Sequence, residues 1–502
     1  MKITPREYQQ KIAESALKMG NTLIVLPTGL GKTLIAAIII EKFLLEGKKA
    51  LMLAPTRPLV EQHIKRMREY LEVEHDEVVA VTGEYAPLQR KEIYKDKKVK
   101  IVVSTPQCIS NDMQNWDGVI EQFSVVVVDE AHRSIGKYAY THVAEFAQHA
   151  GLLIIGLTAS PGGRAERINE IMRSLFVDNV EIRTEQEHDV SKYVQPLDLK
   201  WEYVDISPQI LEARTFLDEL LDEKISTLNS LGVQVSKKSS RGRLSEIFRY
   251  LIVRKHMAAL GHFGIFYNAF HAAEVLETEG PHTFERFVEN MKERKKRVDW
   301  HLIRAVNMLR DKEGKLVEHP KMDKLLEIVK ERKGKKLIIF AQYREQVQHI
   351  VDVLGKNGFL SKKFLGKKQG SGREQKETLQ EFGEGKFNIL VASSIGEEGI
   401  DIPSADTAIF YEPIPSEIRT IQRRGRVARL KGGEVIILVT RNTRDEAFKW
   451  AAVSRERKMH RIIRGIKEGT HKLSSNEDKK KKRSQSPEEL EKGQKKLDDF
   501  FS

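Results

Sequence analysis

Three groups of residues in this chain have the types and spacing that phosphate chemistry requires. The first is Leu26-Pro27-Thr28-Gly29-Leu30-Gly31-Lys32-Thr33, set between an apolar run from Thr22 to Leu26 and the apolar stretch Leu34 to Ile40. Strand, glycine-rich turn and helix in that order make a phosphate cradle. Gly29 and Gly31 let backbone N–H groups turn inward around an anion at a helix N-terminus, Lys32 brings a mobile positive charge, and the Thr33 hydroxyl can ligate Mg²⁺. The usual pattern opens on glycine, and here Leu26 stands in that place. The second group is Asp129-Glu130-Ala131-His132, delivered by Val125 to Val128. Paired carboxylates at the end of a buried strand suit a cation holder, Asp129, beside a group that polarises an attacking water, Glu130. The third is Gln422-Arg423-Arg424-Gly425-Arg426-Val427-Ala428-Arg429. Three apart on a helix, Arg426 and Arg429 share one face and can reach the same γ-phosphate.

Such groups need rigid elements behind them, and the chain supplies short apolar runs alternating with helical patterns. Ala50 to Ala54 ends in Pro55-Thr56-Arg57, Val78 to Val81 in Thr82-Gly83, Val99 to Val103 in Ser104-Thr105-Pro106, and Leu152 to Leu157 in Thr158-Ala159-Ser160-Pro161. Open α/β sheets bind ligands at the C-terminal ends of their strands. Arg57 there could hold a phosphodiester, and Thr82 and Thr105 suit backbone contacts without base readout. Farther on, Leu337 to Phe340 runs into Ala341-Gln342-Tyr343-Arg344, and Ile389 to Ala392 into the loop that carries Ser394, Gly396 and Asp401. Ahead of the first strand, Thr4 to Leu17 reads as a helix entered through Pro5 and carrying Arg6, Tyr8 and Gln9. The Gln9 amide could pair with adenine N6 and N7, and the same segment also suits an ordinary polar helix start.

The order P-T-G-L-G-K-T, A-P-T-R-P-L, S-T-P, D-E-A-H and T-A-S-P resembles the first RecA-like domain of superfamily 2 helicases. A-Q-Y-R, the S-S-I-G-E-E-G-I-D-I-P loop and Q-R-R-G-R-V-A-R resemble motifs of the second such domain. The resemblance implies an α/β fold of two RecA-like parallel-sheet domains with ATP·Mg²⁺ between them. It assigns Lys32, Asp129, Glu130, Gln422, Arg426 and Arg429 to catalysis. Arg6, Gln9, Thr28, Gly29, Gly31, Thr33 and Asp401 would bind nucleotide, with Thr33 and Asp129 on the metal. The expected nucleic-acid contacts are Arg57, Thr82, Thr105, Gln342, Ser394 and Gly396.

Between Thr184 and Pro320 the alternation gives way to helical stripes such as Leu217, Leu220, Leu221, Ile225, Leu228 and Leu231. Leu244 to Leu260 and Phe284 to Leu309 read likewise. Two basic stretches, 237–243 and 292–297, could track a duplex backbone or be solvated faces. The expected organisation is a first RecA-like domain at 1–200, an inserted helical domain at 201–325, a second RecA-like domain at 326–470 and a polar tail at 471–502. A helical insertion with these motif spellings is similar to the archaeal Hef and Fanconi-anaemia M branch. That likeness implies a monomeric motor on forked and branched DNA, moving 3′ to 5′. Dicer and the RNA-sensing helicases share the insertion, so duplex RNA is the rival substrate, and a non-catalytic nucleic-acid-binding scaffold is the opposing class, against which Lys32, Asp129, Glu130, Arg426 and Arg429 all stand. The XPF-type nuclease of complete archaeal Hef has no counterpart after Arg429. The final Gln494, Leu497, Phe500 and Phe501 resemble the peptide that docks replication sliding clamps.

Composition agrees with a polyanionic partner. Among 502 residues, 85 Lys and Arg face 72 Asp and Glu, a formal charge of +13. The single cysteine, Cys108, allows no internal disulfide. No apolar run approaches the roughly 18 residues of a membrane span, so the chain reads as soluble and intracellular.

Overall fold

The computed structural model describes residues 1–27, 29–136, 139–159, 162, 165–184, 187–193, 198–294, 298–365, 372–393, 405–413 and 433–467. Thr28, Ser394, Gly396, Asp401, Gln422, Arg426, Arg429 and the tail with Gln494, Leu497, Phe500 and Phe501 lie outside them. The first half alternates as α1 (Glu7–Met19), β1 (Thr22–Val25), α2 (Lys32–Leu45), β2 (Lys49–Leu53), α3 (Arg57–Tyr70), β3 (Val78–Val81), α4 (Pro87–Lys95) and β4 (Ile101–Ser104). It continues through α5 (Pro106–Asn115), β5 (Phe123–Val128), α6 (Ala139–His149), β6 (Leu153–Thr158), α7 (Ala165–Ser174), β7 (Asn179–Ile182) and α8 (His188–Ser191). The seven strands form a parallel sheet in the order β3-β4-β2-β5-β6-β1-β7.

Side chains alternate across a strand, so a sheet covered by helices on both sides needs apolar residues at every position. Leu23, Val25, Leu51, Leu53, Val126 and Val128 enter a core on one face. Ile24, Met52, Val125 and Val127 enter another on the opposite face. This is why the strands read as continuous apolar runs and not as alternating ones.

The second sheet opens with β8 (Asp198–Val204), before the insertion. The insertion follows as α9 (Pro208–Ser230), α10 (Arg241–Val253), α11 (Met257–Thr278), α12 (Pro281–Glu293) and α13 (Trp300–Met308). Then come α14 (Pro320–Glu331), β9 (Leu337–Ala341), α15 (Arg344–Lys356), β10 (Ser361–Phe364), α16 (Gly372–Glu384), β11 (Ile389–Ser393), β12 (Thr407–Phe410), β13 (Glu434–Thr440) and α17 (Arg444–Lys467). The six strands run in the order β10-β11-β9-β12-β13-β8, again all parallel. Ile338 and Phe340 face one core while Leu337, Ile339 and Ala341 face the other.

Two expectations need correction. A boundary at residue 200 cuts β8, which pairs with β13 at every position from Asp198 opposite Glu434 to Val204 opposite Thr440. The strand was hidden because it alternates Leu199, Trp201 and Tyr203 with Lys200 and Glu202, an edge pattern unlike the buried runs elsewhere. The second domain therefore begins before the helical insertion, and α14 at Pro320 belongs with it. Likewise, neither Leu244 to Leu260 nor Phe284 to Leu309 is one helix; the second divides into α12, which stops at Glu293, and α13, which opens at Trp300 behind its N-cap Asp299. Lys255 adopts φ 52° and the His256 N–H reaches back to the Leu251 carbonyl at 3.0 Å, a left-handed C-terminal stop made without glycine.

The insertion has its own core, in which Leu217, Leu220, Leu221 and Leu228 of α9 meet Phe263, Phe266 and Phe270 of α11. Its basic stretch at 237–243 is largely occupied. Lys237 contacts Asp222 at 2.7 Å and Asp218 at 3.3 Å, and Arg241 contacts Glu274 at 2.7 Å. In α17, the Arg444 N–H donates to Glu277 of α11 at 3.1 Å, and near the other end Ile462 is buried in the core of the first sheet.

Glu434 ties three elements together. Arg332 at the end of α14 grips it through Nε at 2.7 Å and Nη2 at 2.9 Å, while Lys200 of β8 donates to it at 2.8 Å. The Arg332 hydrogen bonds, working against partial burial and helped by Lys200, hold its carboxyl down to about 2 from an ordinary 4.5. A carboxylate depressed on folding contributes stability that is present above its unfolded value and lost as pH falls through the folded one. E434Q is expected to cost about 1 kcal/mol at neutral pH, a drop of about 2–4 °C in thermal midpoint. Parent and variant should converge as pH falls from 4.5 to about 2. A gap that stays constant across that window would show that the charge is not the source.

Candidate active site

The phosphate loop is held by its backbone conformation and by α1. Gly29 and Gly31 sit at φ 84° and 82°, in the left-handed region that favours glycine. Gly31 is the N-cap of α2, and no side chain caps that helix, so its first N–H groups are available to an anion. Below the loop, Tyr8 donates its hydroxyl to the Leu30 carbonyl at 2.7 Å and the Gln9 amide donates to the same oxygen at 3.1 Å. Gln9 Oε1 accepts from the Arg6 N–H at 2.9 Å. Gln9 is thus buried against the loop, with both ends of its amide engaged. The Arg6 guanidinium stacks over the Tyr193 ring at 4.4 Å. Lys32 donates from Nζ to the carbonyls of Leu26 at 3.0 Å and Pro27 at 3.4 Å, which lays its ammonium along the loop.

Asp129 leaves the end of β5 and is 8% exposed. His63 of α3 brings Nε2 to Asp129 Oδ2 at 2.8 Å. Burial pushes the Asp129 carboxyl up, but the His63 hydrogen bond and charge, the charge of Lys32 and a backbone N–H outweigh it and hold the acid below its ordinary range. A buried, ionised carboxylate that feels Lys32 suits a hard oxygen-seeking cation such as Mg²⁺. Glu130 follows at φ 51° and ψ 46°, a left-handed conformation costly for a side-chain-bearing residue. Its carboxylate lies 3.3 Å from His132 Nδ1, which is 3.2 Å from the Thr158 hydroxyl at the end of β6. The strand that carries the acid pair is linked in this way to its neighbour. Tyr140 adds a hydroxyl donated to the Asp129 carbonyl at 3.1 Å.

The remaining first-domain candidates share the same sheet edge on neighbouring strands. Arg57 follows β2, Thr82 follows β3 and Thr105 follows β4, and these three strands lie side by side next to β5. Arg57 is half-exposed and paired with Glu84 at 3.1 Å, so a phosphate would have to displace that partner. Thr82 is buried and Thr105 is the N-cap of α5. Gln342 directly follows β9 of the second sheet.

His63 and Tyr140 were not found from sequence. His63 shares a face of α3 with buried Val60, Ile64 and Met67, so a histidine on an apolar stripe, in the first helix after Arg57, was the available signal.

Residues 2–163 match the family described as type III restriction enzyme, res subunit, and residues 320–431 match the helicase conserved C-terminal domain. The chain is similar to the crystal structure of the Pyrococcus furiosus Hef helicase domain, at 39% identity and a TM-score of 0.67, covering 89% of this chain and 98% of that one. It is 38% identical over 487 residues to a Methanocaldococcus jannaschii protein provisionally described as an ATP-dependent RNA helicase, covering 92% of this chain and 61% of that one. To the Schizosaccharomyces pombe ATP-dependent DNA helicase fml1 it is 31% identical over 493 residues, covering 89% of this chain and 58% of that one. The chain spans about three fifths of the length of these two curated relatives.

A Cβ on Gly31 would stand 2.4 Å from Gln9 Nε2 and would sit on a left-handed backbone. Gly31→Ala is expected to lower ATP affinity by at least about tenfold, equivalent to about 1.4 kcal/mol, as measured by fluorescent-nucleotide titration. Adding Gln9→Ala removes the collision but not the φ restriction, so recovery should be partial. Complete recovery would assign the constraint to the side chain alone.

Proposed function

Because the chain belongs to the superfamily 2 ATP-dependent helicases of the Hef and Fanconi-anaemia M type, we propose that it couples ATP hydrolysis to movement along DNA at forks and branched junctions. The observation that carries this reading is the shared sheet edge. Lys32 and Asp129, which act on one another electrostatically, stand beside strands whose ends present Arg57, Thr82 and Thr105. Phosphate chemistry and phosphate grip are then parts of one rigid layer, and a change at one is transmitted through packed strands to the other.

In this mechanism the N-terminal amides of α2 and the Lys32 ammonium cradle the β- and γ-phosphates. Thr33 and Asp129 would hold Mg²⁺, which when bound neutralises charge on the phosphate oxygens. Glu130 orients the attacking water; its buried Oε2 lies 3.3 Å from His132 Nδ1 without a hydrogen bond of its own. Arg426 and Arg429 act from the second domain as fingers on the transferred phosphoryl group, and Gln422 and Asp401 complete that side. Thr28 and Gly29 line the loop, Gln9 braces it from below through the Leu30 carbonyl, and Arg6 would serve the base end on leaving the Tyr193 ring. Hydrolysis then requires the second domain to come up against the first, which changes the spacing between Arg57, Thr82 and Thr105 and their counterparts Gln342, Ser394 and Gly396. Contacts to phosphates and not to bases make the movement indifferent to sequence.

Likeness to the Hef helicase domain over nearly its whole length supports DNA as the track, as does the name of the fission-yeast relative. Duplex RNA is the second reading, favoured by the description of the Methanocaldococcus relative.

ATP turnover measured with forked, four-way, duplex and single-stranded DNA and with duplex RNA tests the proposal. Forked DNA should stimulate most, and a ranking led by duplex RNA would transfer the chain to the second reading. Lys32→Ala should abolish stimulated turnover, and Arg426→Ala should lower it by about 10³–10⁵-fold. Arg57→Ala should weaken binding to all sequences equally and lower the slope of log affinity against log salt by about one. An unchanged slope would remove Arg57 from the track.

A further inference from the structure

Away from the nucleotide and the sheet edge, three side chains from three separate segments converge where the insertion meets the second domain. His282 lies in the first turn of α12, Glu318 in the segment leading into α14, and His349 on α15. His349 Nε2 is 3.0 Å from Glu318 Oε2, and His282 Nε2 is 3.1 Å from Glu318 Oε1. The two imidazole rings stack with centroids 3.9 Å apart, so both Nε2 atoms address one carboxylate from the same side. One ligand atom from each residue falls within 4.8 Å of the others. We propose that His282, Glu318 and His349 form a binding site for a d-block divalent cation, Zn²⁺ in particular, which fastens the insertion to the second domain.

Ligand chemistry and geometry favour a metal over a plain ion pair. Two neutral imidazoles and one carboxylate suit Zn²⁺ and its neighbours, whereas Mg²⁺ and Ca²⁺ prefer oxygen donors. Bonds of about 2.0–2.2 Å in a tetrahedron put ligand atoms about 3.3 Å apart, comparable with the two N···O separations of 3.0 and 3.1 Å, and the stacked rings would turn apart to aim both Nε2 atoms at one ion. His282 Nε2 is buried and forms no hydrogen bond despite its proximity to Glu318, so this nitrogen faces the cluster without a satisfied partner.

The site is also preorganised. One residue from His282, the Thr283 hydroxyl donates to Gln346 Oε1 at 2.7 Å across the α12–α15 contact, and Gln346 is one turn from His349. Beside Glu318, His319 is buried, its Nε2 lying 3.2 Å from the Glu277 carbonyl and its Nδ1 accepting the Lys321 N–H. All three ligand-bearing segments are therefore fixed by neighbours that do not ligate. Three protein ligands leave a fourth position for water, and the cation would act as a staple between helices.

The full chain, stripped of metal with a chelator and dialysed, should take up one Zn²⁺ per molecule in competition with a chromophoric chelator, and excess Mg²⁺ should not displace it. Co²⁺ in its place should give the visible d–d bands of a four-coordinate site. His282→Ala and His349→Ala should each weaken uptake by at least about tenfold, and Glu318→Gln should weaken it while preserving the fold by circular dichroism. Zn²⁺ should raise the thermal midpoint of the parent and not of the double-histidine variant, by mass action on the folded state. Stoichiometric uptake that survives the double variant, or no uptake by the folded parent at micromolar Zn²⁺, would overturn the proposal. Should either histidine variant fail to fold, the Glu318→Gln chain and the parent's cobalt spectrum still decide it.

Discussion

Asp129 has to be charged to be of use, and burial makes charge expensive. Withdrawing a carboxylate from water costs several kcal/mol unless hydrogen bonds and opposite charge offset it. Here His63 donates from α3, Lys32 contributes from the opposite end of the site, and the backbone at Glu130 supplies a further N–H. These partners come from different elements, so the acid stays ionised only while β1, β5 and α3 keep their places. The all-apolar strands and the two cores on either side of the first sheet serve that requirement directly. Even the strained turn at Glu130 is tolerable because its two sides are held, Asp129 by the Tyr140 hydroxyl and His132 by Thr158 at the end of β6.

The second half meets the same difficulty in a different place. Lys321 is wholly buried at the start of α14, 2.5 Å from the equally buried Asp445 of α17 and 2.9 Å from the Thr278 carbonyl of α11. Glu279 nearby is pushed well above the ordinary carboxylate range by burial and then by Glu412, and burial pushes Asp445 up as well. A buried lysine–aspartate pair beside a further buried acid is an arrangement that only a fully assembled junction can stabilise. Breaking such a buried pair from one side is strongly unfavourable. The insertion is consequently fixed to the second domain and is not a separate module on a linker.

What could be read from the chain alone followed from the range of the interactions. The phosphate loop and the acid pair are local patterns on single strand–turn units, and both sheets could be inferred from apolar runs. His63 could not, because its partner is 66 residues away and nothing in the order of residues says which strand end α3 will cover. Strand β8 escaped for a similar reason: its neighbour in the sheet among the described residues is β13, more than two hundred residues on. The stop at Lys255 escaped because the chain adopts a left-handed turn there with a residue that does not advertise it. His282, Glu318 and His349 come together only through the docking of α12 on α15, a fact of tertiary packing.

The last helix has a mechanical meaning of its own. Its beginning is clamped, since Arg444 lies over the Phe270 ring at 4.1 Å and donates to the Phe270 carbonyl at 2.7 Å, while Ile462 is seated in the core of the other half. A helical rise of 1.5 Å per residue makes this a strut of about 27 Å with a socket at each end. Struts permit pivoting and resist stretching, so the two halves swing about those sockets more readily than they separate. Unseating Ile462 would forfeit about 1.5–3 kcal/mol of apolar burial, a toll large enough to bias the swing and small enough for one nucleotide to overcome.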